Sequence, residues 1–154
     1  MSVYNKLQKI QSELKAPKNQ KNTFGGYKYR NLEDICEAVK PLLNKYNCSL
    51  VLSDDVVMIG ERIYLKATAT LIDSETGEKA GNNGFAREDV AKKGMDLSQL
   101  TGACSSYARK YALNGLFCID DTKDADADEP TGEQTKTPVR RSRRKIKVDE
   151  SCPF

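Results

Sequence analysis

The chain has 154 residues, 38% of them hydrophobic and 31% charged, with a formal net charge of +3. That is enough for one modest domain plus tails. No apolar run approaches the roughly 18–20 residues of a membrane span and the N-terminus lacks a signal-peptide pattern, so the cytoplasm is the expected compartment. The sequence has no histidine, which removes the commonest general base and the usual Ser-His and Cys-His nucleophile systems.

Val3, Leu7, Ile10 and Leu14 recur at helical spacing, so residues 2–15 are expected to form a short amphipathic helix. The segment APKNQKNTFGGYKYR follows as a loop in which Lys18, Lys21, Lys28 and Arg30 alternate with Phe24, Tyr27 and Tyr29. Asn31 is placed to cap a second helix with Leu32, Ile35, Val39, Leu42, Leu43 and Tyr46 on one face, and Pro41 is expected to kink or restart it. From Ser49 the period becomes two. Residues 49–59 read as a strand, Gly60-Glu61 as a turn and 62–72 as the hairpin partner.

In that second strand Ile63, Leu65, Ala67, Ala69 and Leu71 share an inward face, and Arg62, Tyr64, Lys66, Thr68 and Thr70 share a wet one. Another turn covers 73–78, and Lys79 to Arg87 forms a third, Gly- and Asn-rich strand. Asp96 caps the last helix with Gln99 three residues on, and Asn114-Gly115 is expected to close it. The order is α-α-β-β-β-α followed by a tail with almost nothing apolar, expected to be disordered. The boundaries drawn are a core over 1–121 and a tail over 122–154.

Five cysteines stand far apart at 36, 48, 104, 118 and 152 with no CxxC pair. They read as buried free thiols in a reducing compartment rather than a zinc site. Charge is segregated. Asp120 to Glu133 holds seven acids against one lysine, and Gln134 to Lys147 holds seven basic residues and no acid. A mildly basic body with an acidic-then-basic tail points to nucleic acid more than to a small metabolite. The run DDTKDADADE lacks the spacing and terminal glutamate of an EF-hand loop and reads as a charged linker. No metal and no cofactor are expected.

The last helix carries the sharpest pattern. Leu97, Leu100, Cys104, Tyr107, Ala108 and Tyr111 fall in one sector of about 100°, a core stripe. The opposite arc holds Ser98, Gln99, Gly102, Ser105, Ser106, Arg109 and Lys110: small residues and cations, with no acid. Hydroxyls and cations suit phosphate oxygens, and small residues admit another backbone. Phosphate contact and packing of a neighbouring subunit both fit this arc, and the two are compatible.

The run GACSSYARKYALNGLFCIDD, with FGGYKYRNLEDICEAVKPLL upstream, resembles the Erf family of phage single-strand annealing proteins. Ser106, Tyr107, Ala108, Arg109, Lys110, Tyr111, Ala112 and Leu113 match the family's S/T-Y-A-R-R/K-Y-A-L core, and Ile119, Asp120 and Asp121 match its acidic exit. Tyr29, Leu32 and Val39 to Leu43 match its upstream block. The resemblance covers roughly residues 1–125 and implies an α+β fold, with a three-stranded antiparallel β-sheet packed by helices in a β-β-β-α core. It also implies assembly into rings or filaments and annealing of complementary strands without ATP, in the host bacterial cytoplasm.

Annealing requires a strand held by its backbone with bases presented, so contacts are expected to be phosphate-directed and sequence-tolerant. The candidate DNA-binding residues are Lys21, Tyr27, Lys28 and Arg30 of the loop and Lys66 on the wet strand face. Arg87, Lys92 and Lys93 form a second basic cluster, and Ser105, Arg109 and Lys110 lie on the last helix. In the other reading of the loop, Phe24 and Tyr29 plug the core.

The ending VDESCPF resembles the acidic tip of bacterial single-strand-binding proteins through Asp149, Glu150, Pro153 and Phe154, after the basic run RRSRRKIK. In that resemblance these four residues engage a host partner; a functionless end is the alternative. The partners expected are single-stranded DNA, further copies of the chain, a phage exonuclease and host proteins that bind such tips. A nuclease is disfavoured because no D/E-x-K core is framed by strands. The alternative is a passive single-strand-binding protein that recruits host replication or repair proteins through this tip. The ending gives it support, but the sequence lacks the all-β pattern of an OB-fold. Nucleotide hydrolysis is not expected, since FGGYK lacks the G-x-x-x-x-G-K-[ST] phosphate loop.

Overall fold

In the computed structural model, which describes residues 1–88, 94 and 96–119, eight elements follow in order. They are α1 (Val3–Glu13), β1 (Gln20–Lys21), β2 (Lys28–Tyr29), α2 (Leu32–Lys45), β3 (Cys48–Ile59), β4 (Arg62–Asp73), β5 (Lys79–Arg87) and α3 (Leu97–Phe117). All lie within the unit Met1–Asp121. Lys92, Lys93 and the tail residues Asp149, Glu150, Pro153 and Phe154 lie outside the described residues. Among the described residues no helix is long and apolar enough to cross a membrane.

The fold is α+β, as expected. β3, β4 and β5 form an antiparallel sheet in that order, with Ile59 opposite Arg62 across Gly60-Glu61 and Tyr64 opposite Arg87 at the other seam. Gly60 has φ +63°, a left-handed conformation that glycine adopts without a Cβ clash. Period-two alternation puts Leu65, Ala67, Ala69 and Leu71 into the core with Val3, Ile10, Ile35, Val39, Leu113 and Phe117 from the helices. Ile63 departs from its expected burial: it is exposed, and lines a cavity of about 420 Å³ with Leu97 and Leu100 between the hairpin end and the start of α3. The other sheet face presents Val51, Ser53, Asp55, Asn83 and Phe85 as exposed residues.

Local chemistry fixes the helix starts. Asn31 accepts from the Asp34 amide at 2.7 Å while Asp34 accepts from the Asn31 amide at 2.9 Å, a reciprocal cap. Asp96 accepts from the Gln99 amide at 2.8 Å. Pro41 does not restart α2, which runs from Leu32 to Lys45. The proline leaves the Glu37 carbonyl without its usual donor, and both residues are exposed, so water can serve.

α3 likewise passes through Asn114-Gly115 to Phe117 and ends on Cys118 at φ 49°. Leu116 and Phe117 are buried, and that packing overrides the local stop signal. Gly115 instead serves packing, because a Cβ there would meet the Asn82 side chain at 2.3 Å.

α1 is tied to the β4–β5 turn through buried Lys6, whose Nζ lies 2.8 Å from the buried Asp73 carboxylate and 3.3 Å from Glu75. Hydrogen bonding to Lys6 holds the Asp73 carboxyl below the ordinary range. The cysteine expectation holds in part: Cys48 and Cys104 are buried, Cys36 is half-buried and Cys118 is exposed, all four as free thiols.

Candidate nucleic-acid interface

The expected core stripe of α3 is shifted around the helix. Leu100, Cys104, Ala108, Ala112, Leu113, Leu116 and Phe117 are buried, whereas Leu97, Tyr107 and Tyr111 are exposed. The reason is close approach. Backbone atoms of Ala108 and Ala112 lie against Gly84 of β5, leaving room only for small residues on the contacting side. The two tyrosines are turned outward.

Tyr107 and Tyr111 stand with ring centroids 6.3 Å apart, and Lys110 Nζ lies 4.7 Å from the Tyr107 centroid. Burial pushes the Lys110 ammonium pKa down, and the nearby charge of Arg30 pushes it further the same way. Arg30 is itself buried, and desolvation lowers its pKa as well. Lys110, beside the Tyr107 ring, and Arg30 thus place two partly desolvated cations near one another.

Arg30 follows directly on a small hairpin that periodicity could not predict. β1 and β2 pair as Gln20 opposite Tyr29 and Lys21 opposite Lys28. Asn22 organises the turn: its Oδ1 accepts from the amides of Phe24 (2.9 Å) and Gly25 (3.1 Å), and its Nδ2 donates to Tyr27 Oη at 2.9 Å. Gly26 takes φ +69°. Phe24 is fully exposed at the tip, and Tyr27 and Tyr29, 57% and 39% exposed, meet edge to face. Neither Phe24 nor Tyr29 plugs the core.

The structure therefore gathers Arg30 and Lys110 together, with Lys21, Tyr27 and Lys28 on the hairpin that leads into Arg30. Ser105 and Arg109 also lie on α3, but both are engaged by Asp54 of β3. Ser105 Oγ donates to Asp54 Oδ2 at 2.5 Å, and Arg109 reaches the carboxylate through Nε at 2.9 Å and Nη2 at 2.9 Å. Lys66 and Arg87 are elsewhere. Lys66 shares the sheet face opposite the helices with its register neighbour Phe85, and Arg87, across from Tyr64, lines the cavity with Leu97 and Leu100 at the start of α3.

Sequence reasoning missed Asp54, although a signal was present: it continues the inward register of Leu50 and Leu52 as a carboxylate beneath a cationic helix. Among the described residues no group of His, Cys, Asp or Glu is disposed to hold a metal ion.

The family model described as the ERF superfamily matches residues 3–151. The chain is 54% identical over 140 residues to the Essential recombination function protein of Salmonella phage P22, an alignment covering 91% of this chain and 66% of that protein. The chain thus spans just under two thirds of that relative's length. No solved structure matches it.

Proposed function

The chain belongs to the ERF superfamily, and from that membership we propose that it acts in phage DNA recombination, binding single-stranded DNA and annealing complementary strands as an oligomer without nucleotide hydrolysis. The observation that carries this reading is two sets of exposed rings beside cations: Tyr107 and Tyr111 with Lys110 on α3, and Phe24, Tyr27 and Tyr29 with Lys21 and Lys28 on the hairpin that leads into Arg30. Cations hold phosphates and ring faces accept any base, so the strand is gripped without being read. A strand held that way keeps its base-pairing edges available to a complement, which is the requirement for annealing.

Self-association has its own support. β3 and β5 are the edges of the three-stranded sheet, and their outer hydrogen-bonding groups have no strand partner among the described residues. Mixing complementary labelled oligonucleotides with the protein, without nucleotide, tests the proposal. Accelerated duplex formation supports it. Binding without acceleration identifies a passive single-strand binder, and strand cleavage identifies a nuclease; either result overturns annealing.

A further inference from the structure

Ser105 and Arg109 stand one helical turn apart on α3, so both reach the same point above β3. That point is filled by a carboxylate. Arg109 presents Nε and Nη2 as a fork, with Nε 2.9 Å from Asp54 Oδ1 and Nη2 2.9 Å from Oδ2, and Ser105 Oγ donates to Oδ2 at 2.5 Å. The arrangement is a three-donor seat for a planar, singly charged, two-oxygen group. A phosphodiester presents the same pattern, two non-bridging oxygens sharing one negative charge, and the guanidinium fork matches either.

The seat is not sealed. The Arg109 side chain retains 36% of its exposure and that of Asp54 21%, so solvent reaches both partners. Asp54 also stands on an edge strand, where its carboxylate can turn into water without leaving a buried orphan.

We propose that Asp54 is an internal stand-in for a DNA phosphate, holding Ser105 and Arg109 in an oxyanion seat until a backbone phosphate of the single strand replaces it. The inference rests on the single-strand binding proposed above and adds a competitor to it. Exchange swaps one charge-assisted pair for another: the guanidinium and hydroxyl move from carboxylate to phosphate, and the released carboxylate becomes hydrated. The competition weakens binding at this contact while keeping the donors in their bound geometry. It also keeps Arg109 from collecting unrelated anions in the absence of a strand.

The test uses the full chain, an oligo(dT) probe and a series of salt concentrations. Asp54→Asn keeps the shape and removes the charge, and is expected to tighten binding about three- to tenfold at low salt. Exchange lets the same phosphate reach Arg109 in both chains, so the slope of log affinity against log salt is expected to stay close to that of the wild type. Asp55→Asn removes the same charge from the opposite sheet face, where Asp55 lies across from Lys66, and is expected to change affinity less than about twofold. In an Arg109→Ala background, Asp54→Asn is expected to add nothing.

Wild-type affinity in a folded Asp54→Asn chain, an equal gain from Asp55→Asn, or the same gain without Arg109 overturns the exchange and leaves the contact as a tie between α3 and β3. If Asp54→Asn does not fold, Asp54→Ser is judged by the same criteria. Absence of oligo(dT) binding by the wild-type chain is a separate result, which overturns the proposed function itself.

Discussion

A Cβ placed on Gly84 of β5 would lie 2.3 Å from the carbonyl oxygen of Ala108 and 2.4 Å from the amide nitrogen of Ala112 on α3. Those neighbours are backbone, so nothing can swing aside, and the helix–sheet distance is set by the absence of a side chain. Gly84→Ala is therefore expected to destabilise the protein by about 1–3 kcal/mol through overpacking. Gly102, on the exposed arc of the same helix, has nothing within 4 Å of its would-be Cβ. Gly102→Ala is expected to stabilise by up to about 1 kcal/mol. Urea unfolding of the two variants checks both signs. If Gly102→Ala instead weakens self-association, that arc is the seat of a neighbouring subunit.

Acid is expected to loosen α1. Asp73 is fully buried and its carboxyl pKa is lowered, chiefly by the hydrogen bond from Lys6. A depressed folded pKa stabilises fully above the unfolded value of about 3.9, and the contribution is lost as pH falls through the lowered folded value. The Lys6→Met/Asp73→Asn double variant removes that linkage. Its urea midpoint is expected to fall less than that of the wild type as pH drops from about 5 to about 3. Parallel curves for the two proteins would show that Asp73 does not titrate with unfolding.

How far these features were legible depended on whether one element or two had to be known. Asn31, Asp96 and the strand Lys79–Arg87 follow from local chemistry and alternation, and the structure keeps them where the sequence put them. Tyr107 and Tyr111 fall inside the apolar sector of α3 by angle alone. Their exposure is decided by Gly84, a residue of another element that draws the alanines inward instead. Lys6 is similar: it sits among Val3 and Ile10 on the buried side of α1, and only the position of Asp73 explains a cation there. The β1–β2 hairpin has two residues per strand, too few to show a period, and is held by the side chain of Asn22.

The sheet divides the expected DNA contacts, and salt dependence can tell which side the strand takes. Lys110→Gln is expected to reduce the log–log salt slope by about 0.7, equally for probes of different base composition, because a phosphate contact carries no sequence information. Lys66→Gln, on the opposite face, is expected to leave the slope unchanged. A reduced slope for Lys66→Gln with none for Lys110→Gln would move the strand to the open face of the sheet.

Phe24 separates binding from folding most cleanly. Its ring is fully exposed and its backbone is fixed by Asn22, so the residue carries stacking surface without core packing. Phe24→Ala is expected to leave the urea midpoint within about 0.5 kcal/mol of the wild type, as for other exposed sites. Affinity for a single strand is expected to drop by about 1–3 kcal/mol if one base stacks on the ring. Tyr27→Ala acts differently. Its ring crowds Gly25, where a Cβ would lie 2.5 Å from the ring edge, and its hydroxyl accepts from Asn22. Losing Tyr27 is therefore expected to loosen the hairpin as well as remove a ring, and hydrogen exchange at the Gly26 amide, which donates to the Asn22 carbonyl at 2.9 Å, is expected to speed up. The same amide is expected to stay protected in Phe24→Ala. Unchanged affinity in Phe24→Ala, with that amide still protected, would remove the hairpin tip from the path of the strand.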